Sequence, residues 1–185
     1  MKLRRAAFLD RDGTIIVDTG FVRDAAGVSL IRGSAEAIRR LNEAGWIVVV
    51  VTNQSGIARG LFTMKEYDAV AARMEALLAE HGARIDATYM CPHHPEVGGP
   101  CECRKPGLKH YLAAAERFGI DFTTSIFVGD RLSDVEPALS LGGTGILVTT
   151  GDGRLAKGDA ERAGVVVLRD LEEAVDRQVS SSPDR

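Results

Sequence analysis

No run of apolar residues in this 185-residue chain approaches the 18 or so that a membrane span requires. Charge of one sign is not in excess either. The 23 basic against 26 acidic side chains leave a formal −3, and that balance gives no electrostatic reason to expect nucleic acid or an acidic membrane as a partner. Cysteine is scarce: Cys91, Cys101 and Cys103 are an odd number crowded into one short segment, which argues against a disulfide framework and for a metal. The basic opening Met1-Lys2-Leu3-Arg4-Arg5 meets Asp10 too soon for a secretory leader, so the expectation is a cytoplasmic protein. Internal repeats, a dividing linker and a heptad seam are also missing. One domain over residues 1–179, a monomer, and a polar, disordered tail over 180–185 are therefore predicted.

What is present alternates between strand and helix character, which argues an α/β fold with a largely parallel sheet covered by helices on both faces. Ala6 to Leu9 reads as a strand, and Trp46 to Val51 is a continuous apolar run typical of a strand buried on both sides. Ala87 to Met90, Ser125 to Val128, Gly145 to Thr149 and Gly164 to Leu168 read as further strands. Ser34 is expected to cap a helix over Ala35 to Ala44, and Thr63 with Glu66 forms a capping box for a long helix reaching about His81. Helices are also expected over Leu108 to Phe118, around Asp134 to Leu141, and from Leu171, capped by Asp170.

Three strands finish in polar residues: Asp10-Arg11-Asp12, Thr52, and Gly129-Asp130. On a strand, side chains two apart share a side, so Asp10 and Asp12 are expected to face one pocket while Arg11 points away. Two carboxylates brought together need a shared cation or proton. In an open α/β sheet the place for such chemistry is beyond the carboxyl ends of the strands, and right-handed crossovers give parallel strands the same polarity. Lys105, just before a helix, could reach the same edge. Carboxylates, a hydroxyl and an ammonium are what phosphoryl transfer requires.

Cys91-x-His93 followed by Cys101-x-Cys103 offers four ligands in two close pairs, a closed set suited to a structural Zn²⁺; spacing alone leaves His94 as an alternative to His93. The intervening Pro95-Glu96-Val97-Gly98-Gly99-Pro100 is expected to turn back without secondary structure.

The ordered set Asp10-Arg11-Asp12-Gly13-Thr14, Thr52, Lys105 and Gly129-Asp130-Arg131-Leu132-Ser133-Asp134 resembles the four motifs of the haloacid dehalogenase (HAD) superfamily of phosphatases. That resemblance implies a three-layer, Rossmann-like HAD fold with the zinc loop 91–103 inserted, and there is no room for a large cap domain. Within the superfamily, Thr52 to Gly60, Cys91-Pro92-His93-His94-Pro95 and Cys101 to Pro106 are similar to the branch that removes the 7-phosphate of D-glycero-D-manno-heptose 1,7-bisphosphate, in the biosynthesis of nucleotide-activated heptose. The related histidinol-phosphate phosphatases share the aspartates and a Cys/His loop but differ in the second motif. The stretch from His93 to Cys101 is shorter than in the first group and slightly longer than in the second.

The resemblance implies that Asp10 is the nucleophile and forms an aspartyl-phosphate, and that Asp12 is the general acid and base. Thr52 and Lys105 then hold phosphoryl oxygens, and Mg²⁺ is bound by Asp10, the Asp12 carbonyl and Asp130. It implies substrate contacts at Asp18, Thr19, Gly20, Phe21, Asn53, Gln54, Ser55, Arg104 and Arg131, with Arg104 on a second anionic group. It selects His93 as the zinc ligand and gives Asp134 a supporting role. A small phosphorylated sugar is then the partner. The alternatives are the same chemistry on another phosphomonoester, a phosphomutase, disfavoured by the missing cap, and a non-enzymatic zinc-stabilised binding protein, which the intact aspartates oppose.

Overall fold

Six strands form one sheet in a computed structural model that describes residues 3–179; the predicted tail lies outside those residues. The elements are β1 (Ala6–Leu9), α1 (Ser34–Glu43), β2 (Ile47–Asn53), α2 (Met64–Glu80), β3 (Ala87–Cys91), α3 (Pro95–Gly98), α4 (Lys109–Phe118), β4 (Ile126–Gly129), α5 (Leu132–Leu141), β5 (Thr144–Val148), α6 (Gly153–Arg162), β6 (Val166–Leu168) and α7 (Leu171–Val179). The strand order is β3-β2-β1-β4-β5-β6, and each neighbouring pair is parallel.

The strands sort their side chains with period two. Ala7, Leu9, Val48, Val50, Ile126, Val128, Ile146 and Val148 pack with Ile38 and Leu41 of α1, Val70 and Met74 of α2, and Leu171 and Ala174 of α7. Ala6, Phe8, Ile47, Val49, Val51 and Phe127 face the other way, onto Tyr111 and Ala114 of α4 and Ala138 of α5. Each buried Ile or Leu is worth about 1.5–3 kcal/mol, so these two stripes hold the three layers together. No helix among the described residues is long and apolar enough to cross a membrane.

This topology places the site. From β1 the chain crosses to α1 on one face; from β4, beside β1, it passes into α5 on the other. Where adjacent strands feed opposite faces, a crevice opens beyond their carboxyl ends. Asp10 follows β1 there, its N–H donating to the Val128 carbonyl at 2.9 Å, and Asp130 follows β4. Next in the sheet, β2 and β3 run in register to Asn53 opposite Cys91, so the cysteine loop begins beside the second motif.

The structure corrects the expected elements at three points. Gly33, not Ser34, stands at the N-cap of α1, with φ +83 and a Cβ position only 2.7 Å from Glu172 Oε2. Ser34 is already helical, and its hydroxyl donates to the Ile15 carbonyl at 3.0 Å, tying the loop after β1 to α1. The segment expected to be irregular contains the single turn α3, started by Pro95 at N1 and capped by His94 Nδ1, which accepts from the Glu96 N–H. Helix α6 had no apolar period to announce it: it buries Gly153 and Ala160, the latter against Val135, Leu147 and Val165, while Leu155 stands 86% exposed. Where the sequence expected them, the Thr63–Glu66 capping box starts α2 and Asp170 accepts from the Glu173 N–H at α7.

Candidate active site

Strand ends and loops enclose a cleft of about 420 Å³ beyond the carboxyl edge of the sheet. Asp10, Asp12, Thr52 and Lys105 all line it, as do Asp18, Gly20, Phe21, Asn53, Gln54, Ser55, Arg104 and Arg131. Thr19 is exposed and lies outside the cleft wall.

Asp10 and Lys105 form the buried centre. Lys105 Nζ stands 2.6 Å from Asp10 Oδ1 and 2.8 Å from Asp134 Oδ1, and donates to the Val51 carbonyl at 2.7 Å. Its three protons therefore have three acceptors. Burial would lower the lysine, but Asp10 and Asp134 outweigh it and hold the ammonium above the usual lysine range. Burial pushes Asp10 up to about 8, against the attraction of Lys105 and with the repulsion of Asp134 and Asp12. Asn53 fixes the lysine's main chain from both sides, Oδ1 accepting from Lys105 N at 3.0 Å and Nδ2 donating to Lys105 O at 3.3 Å. The second oxygen of Asp134 accepts from Arg131 N.

Asp10, Asp130 and Asp134 each bring a carboxylate oxygen within 4.8 Å of the others. Asp130 is fully buried; Oδ2 accepts from Asp152 N at 2.7 Å, while Oδ1 has no hydrogen-bond partner among the described residues. Burial pushes its carboxyl up to about 6. A buried, unpaired oxygen among carboxylates is costly unless a cation meets it, and an all-oxygen donor set suits Mg²⁺. The space is guarded by glycines: a Cβ on Gly13 (φ +79) would stand 2.3 Å from Asp130 Oδ2, and one on Gly151 (φ +53) 2.1 Å. Gly13→Ala is therefore expected to destabilise the protein by at least the ~1–2 kcal/mol of a left-handed alanine and to displace the Asp130 carboxylate. Chemical denaturation would measure the first effect and Mg²⁺ titration the second; a variant unchanged in both would contradict the tight fit.

Asp12 faces the cleft, and Arg11 points away from it, as the alternation requires. Its guanidinium does not reach solvent, however. It is 1% exposed and grips Asp12 through Nε–Oδ1 at 3.1 Å and Nη2–Oδ2 at 2.9 Å. Thus each carboxylate of the pair has its own cation. Gln54 Nε2 donates to both Asp12 Oδ2 (2.7 Å) and Thr52 Oγ1 (2.8 Å). Because Thr52 accepts from Gln54, its own hydroxyl proton is left to point into the cleft.

At the cleft mouth, Arg131 Nη2 lies 2.8 Å from Asp152 Oδ2 and 3.8 Å from Asp18 Oδ2, and Asp18 Oδ1 accepts from Gly20 N. Phe21 adopts φ +49 and covers Gly56, where a Cβ would stand 2.9 Å from its ring. Arg59, His94 and Ser133 also line the cleft. The sequence does not single them out, nor the gripping role of Arg11: Arg59 and Ser133 sit within matched motifs with no local partner to mark them, and His94 reads only as an alternative zinc ligand.

Cys91, His93, Cys101 and Cys103 come together, and His94 does not join them. The sulfur separations are 3.7 Å (Cys91–Cys101), 3.2 Å (Cys91–Cys103) and 3.6 Å (Cys101–Cys103), with His93 Nδ1 3.7 Å from Cys91 and 3.2 Å from Cys103. A tetrahedron with Zn–S bonds near 2.3 Å has edges of about 3.8 Å, so this set is compatible with zinc. Arg104 Nη1 reaches the His93 carbonyl at 3.4 Å, and the main chain leads directly into Lys105.

Comparison with known proteins agrees with this geometry. The HAD-hydrolase-like family matches residues 102–174. A D-glycero-beta-D-manno-heptose-1,7-bisphosphate 7-phosphatase from Yersinia pestis is 42% identical over 177 residues, covering 92% of this chain and 94% of that protein. Its counterpart from Escherichia coli strain K12 is 41% identical over 182 residues, covering 94% of each. The crystal structure of D,D-heptose 1,7-bisphosphate phosphatase from B. bronchiseptica, complexed with magnesium and phosphate, superposes with a TM-score of 0.88 at 37% identity, covering 96% of this chain and 99% of that one.

Proposed function

The chain belongs to the heptose-1,7-bisphosphate 7-phosphatases of the HAD superfamily, and from that membership we propose that it hydrolyses the 7-phosphate of D-glycero-β-D-manno-heptose 1,7-bisphosphate. The observation that carries the reading is the Asp10–Lys105–Asp134 centre beside the unpaired oxygen of Asp130, within a cleft that also presents Arg59, Arg104 and Arg131. One ammonium and one cation site serve a reacting phosphate, and Arg59 and Arg104, unlike Arg131 with its carboxylate partner Asp152, leave positive charge for a second. The β anomer is favoured because the curated relatives are named for it. The product then feeds nucleotide activation of the heptose.

Asp10 attacks phosphorus and becomes the aspartyl-phosphate, while Lys105 neutralises the phosphoryl oxygens and Thr52 donates its free proton to one of them. Asp12 protonates the sugar oxygen as it leaves, then takes a proton from the water that releases phosphate. Asp10, the Asp12 carbonyl and Asp130 would hold Mg²⁺, which supplies positive charge to the reacting phosphate. Asp134 keeps Lys105 charged and in place. Asp18, Gly20, Phe21 and Ser55 bound the sugar site, with Thr19 in the same loop. Asn53 and Gln54 contribute mainly by holding Lys105, Asp12 and Thr52. Arg104 receives the second phosphate, for which a guanidinium fork is well matched, and Arg131, held by Asp152, lines the substrate's path at the cleft mouth.

Zn²⁺ on Cys91, His93, Cys101 and Cys103 is assigned a structural role within a single domain, with loop 91–103 as its insertion. We read the protein as a cytoplasmic monomer whose partner is the small sugar phosphate, not nucleic acid or membrane.

The test is phosphate release with Mg²⁺ from both anomers of the heptose bisphosphate, from histidinol phosphate and from an aryl phosphate. A preference for the β-bisphosphate supports the assignment, and a preference for histidinol phosphate overturns the substrate while leaving the chemistry. For the metal, saturation a hundredfold above Kd should stabilise the fold by about 2.7 kcal/mol, roughly 5–10 °C in a chain of this size. Asp130→Asn should lose that shift; a variant that kept it would remove Asp130 from the metal site.

A further inference from the structure

Arg11 is buried between the two aspartates of the first motif, yet the proposed chemistry assigns it nothing. Burying a guanidinium is unfavourable unless its donors are met, and here they are met almost wholly by one carboxylate. Nε and Nη2 reach the two oxygens of Asp12, at 3.1 and 2.9 Å. The guanidinium carbon lies 5.3 Å from the centre of the Tyr67 ring, on the capped first turn of α2. Only Nη1 lacks a partner among the described residues. Asp12, by contrast, is 19% exposed at its side chain and opens onto the cleft. The pair therefore runs from the core to the site, with its rigid end inside.

A two-point fork fixes the plane of a carboxylate as well as its position. Gln54 adds a third donor at Asp12 Oδ2 and links it to Thr52 through the same amide. We infer that Arg11, together with Gln54, is a positioning residue that sets the Asp12 carboxylate for proton transfer. This rests on Asp12 being the acid and base of the proposed reaction. In the first step the Asp10–phosphorus bond forms and the phosphorus–oxygen bond to the sugar breaks. The electron pair goes to the sugar oxygen, which takes the proton of Asp12. In the second, water forms its bond to phosphorus and gives a proton to Asp12, while the pair from the broken phosphorus–Asp10 bond returns to the Asp10 carboxylate. Both transfers need the same carboxylate at the same place, and a misplacement of about 1 Å can cost on the order of 10²-fold.

The leaving group separates positioning from general structural support. Single-turnover cleavage of the sugar bisphosphate needs a proton on the departing alkoxide; the nitrophenolate burst from 4-nitrophenyl phosphate does not. Asp12→Asn serves as reference and should slow the sugar reaction by about 10²–10⁴-fold with a far smaller effect on the burst. Arg11→Met should follow the same pattern, slowing the sugar reaction by roughly 10²-fold with the burst changed by less than about threefold. Arg11→Lys should recover little, because an ammonium has the charge without the fork. Equal losses on both substrates in Arg11→Met, or full recovery by lysine, would overturn the inference. If Asp12→Asn itself fails to discriminate, the assignment of Asp12 as acid fails first and the inference falls with it. Circular dichroism and gel filtration check folding. Should Arg11→Met not fold, Tyr67→Leu removes the ring packed against the guanidinium without touching Thr52 and should show the same selectivity at about three- to tenfold, the size of one cation–π contact; equal losses there would again overturn it.

Discussion

Asp10→Asn is expected to release phosphate from the bisphosphate at less than about 10⁻⁴ of the native rate, a loss on the scale seen when an enzyme's nucleophile is removed. The substitution is nearly isosteric and leaves Lys105 its contacts to Asp134 and the Val51 carbonyl, so the lysine stays anchored. Burial already works against ionised Asp10, pushing its carboxyl up to about 8. A neutral amide at that position relieves this cost but gives up the attraction of Lys105, so the variant should melt close to the native protein in the absence of added metal. Activity is then lost without a matching loss of stability, which distinguishes removal of a nucleophile from simple damage. Lys105→Met is the counterpart: it strands Asp10 and Asp134 in the core with no ammonium, so activity and thermal stability should fall together. Rates of phosphate release with parallel melting curves would decide the matter. Asp10→Asn retaining more than about 1% of native turnover, cleanly folded, would mean that water attacks phosphorus directly and that Asp10 serves only to hold metal.

The sequence made this centre legible because its residues sit at the ends of apolar runs. Strand polarity and right-handed crossovers carry Asp10, Thr52 and Asp130 to one edge, and a one-residue alternation turns Asp10 and Asp12 inward together. What alternation does not say is where an inward-facing residue's neighbour ends up. Arg11 points away from the cleft, as expected, but into protein, because α2 brings Tyr67 over it; that contact joins residues 56 positions apart and leaves no local signature. Asn53 and Gln54 are similar. The resemblance implies substrate contact for both, and both do line the cleft; what the sequence leaves silent is that their amides also bond to Lys105, Asp12 and Thr52. Helix α6 escaped because it packs through Gly153 and Ala160, and small residues carry almost no hydrophobic period. The cysteine loop was legible in its ligands, and its helical turn was hidden because Pro95 reads as a breaker until it is seen at N1.

Cys103→Ala is the second substitution with a large expected effect, and its pattern is specific. Cys103 is buried at the middle of the proposed zinc site, within 3.2–3.6 Å of Cys91 and Cys101 and 3.2 Å from His93 Nδ1, so its loss opens a closed tetrahedral set. The loop that returns from Cys91 to Lys105 would lose its crosslink, comparable to about 3 kcal/mol and roughly 6–12 °C in melting temperature. The kinetic consequence follows from what else holds the two basic residues. Lys105 is secured independently by Asn53, Asp10, Asp134 and the Val51 carbonyl. The Arg104 side chain makes one hydrogen bond among the described residues, to the carbonyl of His93, itself a proposed zinc ligand. Loss of the metal should therefore spare the reacting phosphate and weaken the grip on the second one. KM for the bisphosphate should rise about 10–100-fold, the range for a charge-assisted hydrogen bond, with kcat changed much less, and a monophosphate should show little of the KM effect. Metal analysis should find zinc in the native protein and none in the variant. A variant that kept its zinc would remove Cys103 from the ligand set. A fall in kcat with KM unchanged would show that the loop acts on Lys105, so that the lysine's four contacts around the cleft are not enough to hold it.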